Sequence, residues 1–266
     1  MLASLSLVPQ PKKIAIISDI HSNLEALTRV IEDARYNQTT VNEICCLGDI
    51  VGYGPAPLQC VSEVFLYCSQ GAIIRGNHEE CVMDFERLKD ELNPFAKAGI
   101  VYTRSELLKS DRIDEKFHIF RNLPTRKSLT RFDITLAHGS YTEPSAWKYI
   151  YDEEAVAKEA EASPTHVLFL GHTHVPFVYS NVNGLYEGPF EEFVLPKDEK
   201  FVINVGSVGQ PRDGDCRSAY GILEIKDNGE KTYTLRRVFY DIQKTADAIM
   251  KAGLPIELAE RLFRGE

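Results

Sequence analysis

The feature that most constrains this chain is an apolar run that stops at a ligand-type side chain, next to a glycine or a polar turn. The clearest case begins at Glu43, where EICCL leads into Gly48 and Asp49 and then into the glycine-rich turn IVGYGP. A carboxylate between a buried strand and such a turn lies where open α/β sheets bind their ligands. Asp49 is therefore the first candidate site residue.

Four further stretches end in the same way. They are DIHSN at 19–23, GNHE at 76–79, HG at 138–139 and GHTH at 171–174, and together they contain five of the seven histidines. The candidate metal ligands in these stretches are Asp19, His21, Asp49, Asn77, His138, His172 and His174. Hard oxygen and imidazole ligands without a thiolate suit Mn²⁺, Fe or Zn²⁺ better than Ca²⁺ or a structural zinc.

Seven ligands are too many for one ion and suit two. When one carboxylate bridges two metals about 3.5–4 Å apart, the pair can polarise a phosphoryl oxygen and generate hydroxide between the ions. We expect Asp49 to be the bridge and the cofactors to be two divalent transition-metal ions, Mn²⁺ first, with Fe, Zn²⁺ or Ni²⁺ as alternatives. Each motif alone has a simpler explanation, such as helix capping by Asn77. Their joint occurrence at successive strand ends favours the metal site.

The first part of the chain predicts alternating strands and helices. Strands are expected at 12–20, 43–50 and 72–74, and helices at 24–35 and 57–67. Three successive βα units would bring their polar residues to one edge, as in a parallel doubly wound sheet. Residues 80–123 have a helical pattern, and an insertion of this length between strands is expected to form a cap over the site, where the substrate is selected.

From residue 128 the pattern changes mainly to strands, which implies two β-rich halves packed face to face. Helices are expected at 152–162, 241–252 and 255–263, and Asn228-Gly229 indicates a hairpin turn. The expected strands are 128–130, 132–137, 167–170, 177–180, 193–195, 201–205, 220–225 and 232–240.

Composition and charge narrow the class of protein. A chain of 266 residues can bury a large core, and we expect a single α/β domain over residues 1–266. The net charge of -9 argues against nucleic acid as a partner, because such binding needs basic surface. Six cysteines without a CxxC pair indicate reduced thiols and a cytoplasmic location. Residues 1–11 lack signal-peptide features and are expected to be a tail, and no apolar run is long enough to span a membrane.

The order of the motifs carries a family resemblance. DxH at 19–21, GDIVGYG at 48–54, GNHE, AHG at 137–139 and GHTH resemble the motifs of the calcineurin-like metallophosphoesterases. DIHSNLEAL, GDIVGYGP and NVGSVGQPR at 204–212 are similar to a bacterial and archaeal branch of small phosphodiesterases, loosely labelled as similar to diadenosine tetraphosphatases. The resemblance implies a four-layer α/β/β/α sandwich of two mixed β-sheets flanked by helices, with a dinuclear site at the sheet edge.

The resemblance also implies residue roles. By the family pattern, one metal is bound by Asp19, His21, Asp49 and His174, and the other by Asp49, Asn77, His138 and His172. His78 would face the substrate as a general acid or phosphate contact, with helix capping as the alternative. Arg75 precedes GNHE and could clamp a phosphate or form a structural ion pair. Arg212, with the turn 206–209, could bind an anion or merely close a tight turn.

The expected function is a dinuclear-metal-dependent phosphohydrolase, in the first place a phosphodiesterase that uses a metal-bridging hydroxide. Its substrate would be a small phosphodiester or a nucleotide, with neither membrane nor nucleic acid as a partner. Asp49 and His78 would be the catalytic residues, and Arg75 and Arg212 would bind the substrate. Several aromatic residues near the motif loops could stack on a nucleobase, although packing is their commoner role; they are Tyr53, Tyr141 and Trp147.

Three alternatives stay open. A phosphomonoesterase or a protein serine/threonine phosphatase of the same superfamily would share the metal ligands. The protein-phosphatase alternative is weakened because Gly52-Tyr53-Gly54 stands where those enzymes resemble DRG, whose charged residues organise the substrate phosphate. The third alternative is a non-catalytic binding scaffold, as in relatives that have lost ligands, although every ligand position is filled here.

Overall fold

The computed structural model describes residues 12–36, 40–69, 71–109, 113–188 and 192–266, with the backbone alone for 113–117. The expected tail at residues 1–11 lies outside the described residues. The strands are β1 (Lys12–Ile17), β2 (Glu43–Cys46), β3 (Arg126–Leu129), β4 (Ile134–Ala137), β5 (Val167–Leu170), β6 (Phe177–Ser180), β7 (Gly184–Tyr186), β8 (Phe193–Leu195), β9 (Phe201–Asn204), β10 (Ser218–Ile225) and β11 (Lys231–Val238). The helices are α1 (Leu24–Tyr36), α2 (Pro57–Tyr67), α3 (Asn77–Met83), α4 (Phe85–Leu88), α5 (Pro94–Leu108), α6 (Ile113–Asn122), α7 (Glu153–Ala162), α8 (Ile242–Lys251) and α9 (Glu257–Arg264).

The strands form two mixed sheets. One has the strand order β2-β1-β10-β11-β8 and the other β3-β4-β5-β9-β6-β7. β1 and β2 are parallel, as are β4, β5 and β9, whereas the other pairings are antiparallel. The loops that leave the carboxyl ends of the parallel strands therefore emerge at one edge of each sheet, where ligands bind in such folds.

Alternation along β1 explains why the sheets stack. Ile14 and Ile16 pack between the two sheets, and Ala15 and Ile17 pack under the helices of the first sheet. Successive strand residues point to opposite faces, so a strand that is apolar at every position is buried on both. Because α1 and α2 cover the first sheet and α7 packs on the second, the expected four-layer α/β/β/α sandwich is confirmed.

Helices α3 to α6 lie between β2 and β3 in the sequence, in the region where a helical cap is expected. α5 packs against α2 and α3, and it shares an apolar cluster around Tyr53 with α8 and α9 from the end of the chain. Two distant parts of the sequence therefore meet beside the loop that follows β2. In the described part of the chain, no helix is both long and apolar enough to cross a membrane.

Three expectations about the strands were wrong. The segment 72–74 makes only an isolated parallel bridge, between Ile73 and Cys46, because the chain turns into α3 immediately afterwards. The first sheet is mixed rather than parallel and doubly wound, because β10 pairs antiparallel with β1. The strand β7 was missed, since three residues are too few to show alternation.

Two fully buried tyrosines on neighbouring strands allow a test of this core. The Tyr220 hydroxyl donates to Asp33 Oδ2 at 2.8 Å, whereas the Tyr233 hydroxyl has no hydrogen-bond partner in the described structure. Tyr220→Phe should lower the free energy of unfolding by about 1–3 kcal/mol, because it leaves a carboxylate with one hydrogen bond fewer. Tyr233→Phe should leave it unchanged or raise it by up to about 1 kcal/mol. Urea denaturation measures both, and equal destabilisation would contradict this hydrogen bonding.

Candidate metal centre

The loops after the parallel strands bring all seven expected ligands together where the two sheets meet. They are Asp19 and His21 after β1, Asp49 after β2, Asn77 at the start of α3, His138 after β4, and His172 and His174 after β5. Six of them are buried, and Asn77 is partly exposed. Buried carboxylates and imidazoles are costly unless they are paired or bind an ion, so this concentration calls for a function.

The first group consists of Asp19, His21 and His174. Asp19 Oδ1 lies 3.2 Å from His174 Nε2 and 3.8 Å from His21 Nε2. The Nε2 atoms of the two imidazoles are 3.0 Å apart. One ligand atom from each side chain thus falls within 4.8 Å of the others, as donors around a single ion do.

The second group consists of Asp49, Asn77, His138 and His172. Asp49 Oδ2 lies 3.3 Å from His138 Nε2, and Asn77 Oδ1 lies 3.2 Å from the same nitrogen. His172 belongs to the cluster of Asp49 and His138. Asp49 Oδ2 is also 3.7 Å from His21 Nε2 of the first group, so one carboxylate oxygen lies between the two groups.

Each of the four imidazoles is held by a backbone carbonyl. The contacts are His21 Nδ1 to Val51 O at 3.2 Å, His138 Nδ1 to Leu47 O at 2.9 Å, His174 Nδ1 to Gln210 O at 2.6 Å and His172 Nε2 to Trp147 O at 2.9 Å. A carbonyl only accepts, so the contacting nitrogen carries the hydrogen and the other nitrogen faces the cluster, where it offers a lone pair when the ring is neutral. His172 therefore offers Nδ1, and the other three histidines offer Nε2.

Two of these lone pairs face each other. With their Nδ1 hydrogens donated to carbonyls, neutral His21 and His174 present acceptor to acceptor at 3.0 Å. Asp19 Oδ1, which is near both, is a buried oxygen without a hydrogen-bond partner in the part of the chain that the structure describes. Burial lowers the pKa of both imidazoles, which disfavours a proton between them. The residues present thus fit a divalent cation at this position.

The second group differs because His138 lies close to both carboxylates. Burial alone would lower the pKa of His138, but the charges of Asp49 and Asp19 outweigh it and raise this pKa to about 9. Burial holds the pKa of His172 at about 3. In the metal-free chain His138 is therefore a cation at neutral pH, and a metal ion must displace its proton.

Left-handed backbone conformations aim the ligands. Positive φ angles of 50° to 65° occur at Asp19, His21, Asp49, His172 and His174. This region costs a non-glycine residue about 1–2 kcal/mol. Because these costs fall on the ligands themselves, the placement of the ligand atoms, not local stability, accounts for the conformation of the loops.

Glu79 holds the Asp49 turn, and the sequence pattern did not single it out. Its carboxylate accepts four backbone N–H groups at 2.8–3.2 Å, those of Asp49, Ile50, Val51 and Gly76. Burial and the charge of Asp49 raise the pKa of Glu79 to about 7, against the effect of these hydrogen bonds. The one available signal was its position three residues after Gly76, which makes it the acidic partner of a helix-capping box.

A cavity of about 300 Å³ opens onto the two groups and is also lined by His78. Helices α4 and α5 and the loop between them contribute Leu88, Leu92, Asn93 and Ala96 to its wall. His78 Nε2 lies 4.0 Å from Asp49 Oδ2, and its Nδ1 has no hydrogen-bond partner among the described residues. Gly52, with a φ of 92°, leaves the space for this ring, because a Cβ atom there would lie 1.9 Å from His78 Nδ1.

Of the two expected phosphate contacts, the structure brings Arg212 to the cavity and not Arg75. Arg75 Nη1 donates to the Arg121 carbonyl at 3.3 Å, and its Nε lies 3.9 Å from Glu80. The alternative weighed for Arg75, a structural contact, describes this geometry. A phosphate contact by the guanidinium of Arg75 therefore stays a prediction.

Aromatic rings form one side of the cavity. Trp147 and Tyr53 line it as expected, whereas Tyr141 does not and instead packs with Arg126 at 4.6 Å. Tyr149 also lines the cavity and stacks on His172, with ring centroids 4.3 Å apart. No sequence pattern selects Tyr149, because this residue lies in a loop without periodicity.

Comparison with known proteins agrees with this geometry. A model of the calcineurin-like phosphoesterase superfamily domain matches residues 13–228, which include every candidate metal ligand. The chain belongs to the calcineurin-like phosphoesterase superfamily. The resemblance noted in the motifs is thereby confirmed, and the family together with the His/Asp groups indicates a phosphoric ester hydrolase that binds divalent metal.

Individual relatives of this phosphoesterase cover nearly all of its length. The uncharacterized protein MJ0912 of Methanocaldococcus jannaschii is 36% identical over 255 residues, which span 95% of this chain and 98% of the relative. The crystal structure of a metallophosphoesterase from Sphaerobacter thermophilus matches with a TM-score of 0.81 and 34% identity, over 97% of this chain and 100% of that one. The hypothetical protein PH1004 of Pyrococcus horikoshii shares the fold, with a TM-score of 0.71, 19% identity and coverage of 96% and 98%.

The role of Glu79 can be tested by Glu79→Gln. The amide would direct an NH₂ group at two backbone N–H donors, so the free energy of unfolding should fall by about 2–4 kcal/mol. Metal affinity should fall by about 10–100-fold, as for other residues that orient ligands. Glu80→Gln on the same helix is the matched control and should change metal affinity less than about threefold. Calorimetric titration with Mn²⁺ measures this, and equal effects of the two substitutions would argue against the role.

Metal binding should release protons from His138. Because its pKa is about 9 without metal, one proton must leave this imidazole when an ion binds at neutral pH. Metal affinity should therefore rise by up to about tenfold per pH unit between pH 6 and 9, and level off above that. Titration calorimetry in buffers of different ionisation enthalpy counts the protons. Binding without proton release at pH 7 would show that His138 is neutral or is not a ligand.

Proposed function

We propose that this phosphoesterase is a dinuclear-metal-dependent phosphodiesterase that acts on a small phosphodiester, a nucleotide included. The observation that carries the proposal is the position of Asp49 Oδ2, 3.3 Å from His138 of one ligand group and 3.7 Å from His21 of the other. A carboxylate oxygen between two sets of imidazole nitrogens that face inward is what a two-ion site needs from a bridging ligand.

The donor set assigns the residues that would hold the ions. Asp19, His21 and His174 would hold one, Asn77, His138 and His172 the other, and Asp49 both. Oxygen and imidazole donors without thiolate favour Mn²⁺, with Fe, Zn²⁺ or Ni²⁺ as alternatives. When bound, the ions supply Lewis-acid polarisation of the phosphate and activation of the attacking water.

His78 is proposed to hold the proton for the leaving oxygen. The His78 ring lines the cavity close to Asp49 and occupies the space that a side chain at position 52 would fill. Burial lowers the pKa of His78, so the free imidazole is largely neutral at pH 7. A bound phosphate is an anion and favours the protonated ring, which could then donate to the departing oxygen. Arg212, on the same cavity, could donate to an anionic group of the substrate.

The shape of the cavity supports a small substrate. Helices α3 to α5 form one side of it, and its volume of about 300 Å³ suits a small ligand. Trp147 and Tyr149 offer aromatic faces on which the organic group of a diester, such as a nucleobase, could stack. We also propose a cytoplasmic location, which the six free thiols support.

The proposal predicts metal-dependent hydrolysis of bis-p-nitrophenyl phosphate, tested with Mn²⁺, Ni²⁺, Zn²⁺ and Mg²⁺ against a chelator. Asp49→Asn should abolish it at matched metal loading, since the shared carboxylate loses its charge. His78→Gln should keep the metal content but lower kcat by about 10²–10⁴-fold. His118→Gln, an exposed histidine on α6, is the control and should leave the rate unchanged.

Three results would count against this assignment. Hydrolysis retained by metal-loaded Asp49→Asn would remove the bridging role. Faster turnover of mono- than of bis-p-nitrophenyl phosphate would turn the proposal to a phosphomonoesterase. A protein that binds two ions and hydrolyses neither ester would support the scaffold alternative.

A further inference from the structure

Two arginines share one hydrogen-bond acceptor beside the cavity. Arg212 Nη2 and Arg261 Nη1 each donate to Gln210 Oε1 at 3.0 Å. The centres of the two guanidinium groups lie 5.9 and 5.4 Å from the centre of the Tyr53 ring. Two cations are therefore held side by side, although their charges repel.

Neither cation has an acidic partner in the described structure. No described carboxylate oxygen comes within 4.0 Å of either guanidinium, although the chain has 39 acidic residues against 30 basic ones. Burial and the charge of Arg212 lower the pKa of Arg261. Other arginines nearby in the sequence do have acidic partners; the pairs are Arg217–Asp215, Arg236–Asp33, Arg237–Asp213 and Arg264–Glu266.

One arginine of the pair lines the cavity, and the other lies directly beside it. Arg212 lines the cavity together with His174, and its backbone N–H donates to the His174 carbonyl at 3.2 Å. Arg261, on α9, places a second positive charge beside Arg212. Its guanidinium is held by the hydrogen bond to Gln210 and by packing on the rings of Tyr53 and Phe95. Each guanidinium makes a single hydrogen bond within the described structure, so donors remain for a ligand.

We propose that Arg212 and Arg261 form a subsite for a second anionic group of the substrate, next to the phosphate that reacts. The inference rests on the proposed function, in which the metal centre holds the reacting phosphate and leaves this pair free. Planar guanidinium groups match phosphate oxygens, and a cavity of about 300 Å³ puts the two anions close together. The preferred substrate class is then one with two neighbouring phosphates, such as a nucleoside diphosphate or a phosphoanhydride-linked diester.

The test compares two probes with one and two anionic groups. Inorganic phosphate and methylenediphosphonate are titrated into the Mn²⁺-loaded protein by calorimetry, with metal content measured before and after. The wild type should bind the diphosphonate at least about tenfold more tightly. Arg261→Gln should reduce this ratio to about threefold or less, and Arg261→Lys, which keeps the charge, should retain most of it. Arg264→Gln, on the same helix with its guanidinium paired to Glu266, is the control and should keep the full ratio.

A wild-type ratio near one, or a ratio unchanged in Arg261→Gln, would overturn the subsite. Equal weakening of both probes in Arg261→Gln would also overturn it, since that is the effect of a contact to the reacting phosphate or of a folding defect. The binding assay needs no turnover. A wild type that shows the ratio but does not hydrolyse bis-p-nitrophenyl phosphate would therefore refute the proposed activity and leave the subsite standing.

Discussion

The Nε2 atoms of His21 and His174, both hydrogen-bond acceptors, lie 3.0 Å apart beside Asp19 Oδ1, a buried oxygen without a hydrogen-bond partner among the described residues. The surrounding structure holds these buried acceptors close together. Two carbonyls fix the imidazoles so that neither can turn a hydrogen inward. Without a cation, such an arrangement leaves acceptors unsatisfied in a desolvated place, which is costly. The loops have not relaxed to remove this cost. Their backbone keeps a left-handed conformation at the candidate ligands, which is itself unfavourable for residues other than glycine.

A site that carries this much local cost depends on rigid support from both sheets. Asp19, His21 and Asp49 come from the first sheet and His138, His172 and His174 from the second, so the sheets must keep one relative position for the groups to meet. The apolar layer between the sheets provides this, with Ile14 and Ile16 of the first sheet among its members. Dense packing resists the small sliding that would separate the ligand atoms. Hydrophobic burial between the sheets thus keeps the candidate ligand atoms in fixed relative positions.

The grouping of the candidate metal ligands could be predicted from the sequence because most of them are polar residues at the end of an apolar run. The apolar runs predicted two β-rich halves packed face to face, and the four layers were implied by a motif order typical of a known family. What could not be predicted depends on contacts between distant residues. Arg75 is drawn to the carbonyl of Arg121, 46 positions away, and residues 72–74 form a bridge instead of a strand because of where α3 begins. Glu79 looks like a helix cap, and its hold on three residues of the Asp49 turn appears only when β2 and α3 are adjacent.

The metal site depends mainly on local sequence, whereas the walls that would select the substrate depend on contacts between distant residues. The ligands lie in loops that directly follow strands, so their positions follow from local sequence and sheet order. The walls of the cavity come instead from α3 to α5, from the loop with Trp147 and Tyr149, and from Arg212 with its neighbour Arg261 on the last helix. Tyr53 contacts residues of both kinds, since its ring centre lies 4.7 Å from those of His21 and His78 and 5.9 and 5.4 Å from the two guanidinium groups. Because these walls share no local pattern with the ligand loops, substitutions in them can change what the cavity accepts while the metal ligands stay in place.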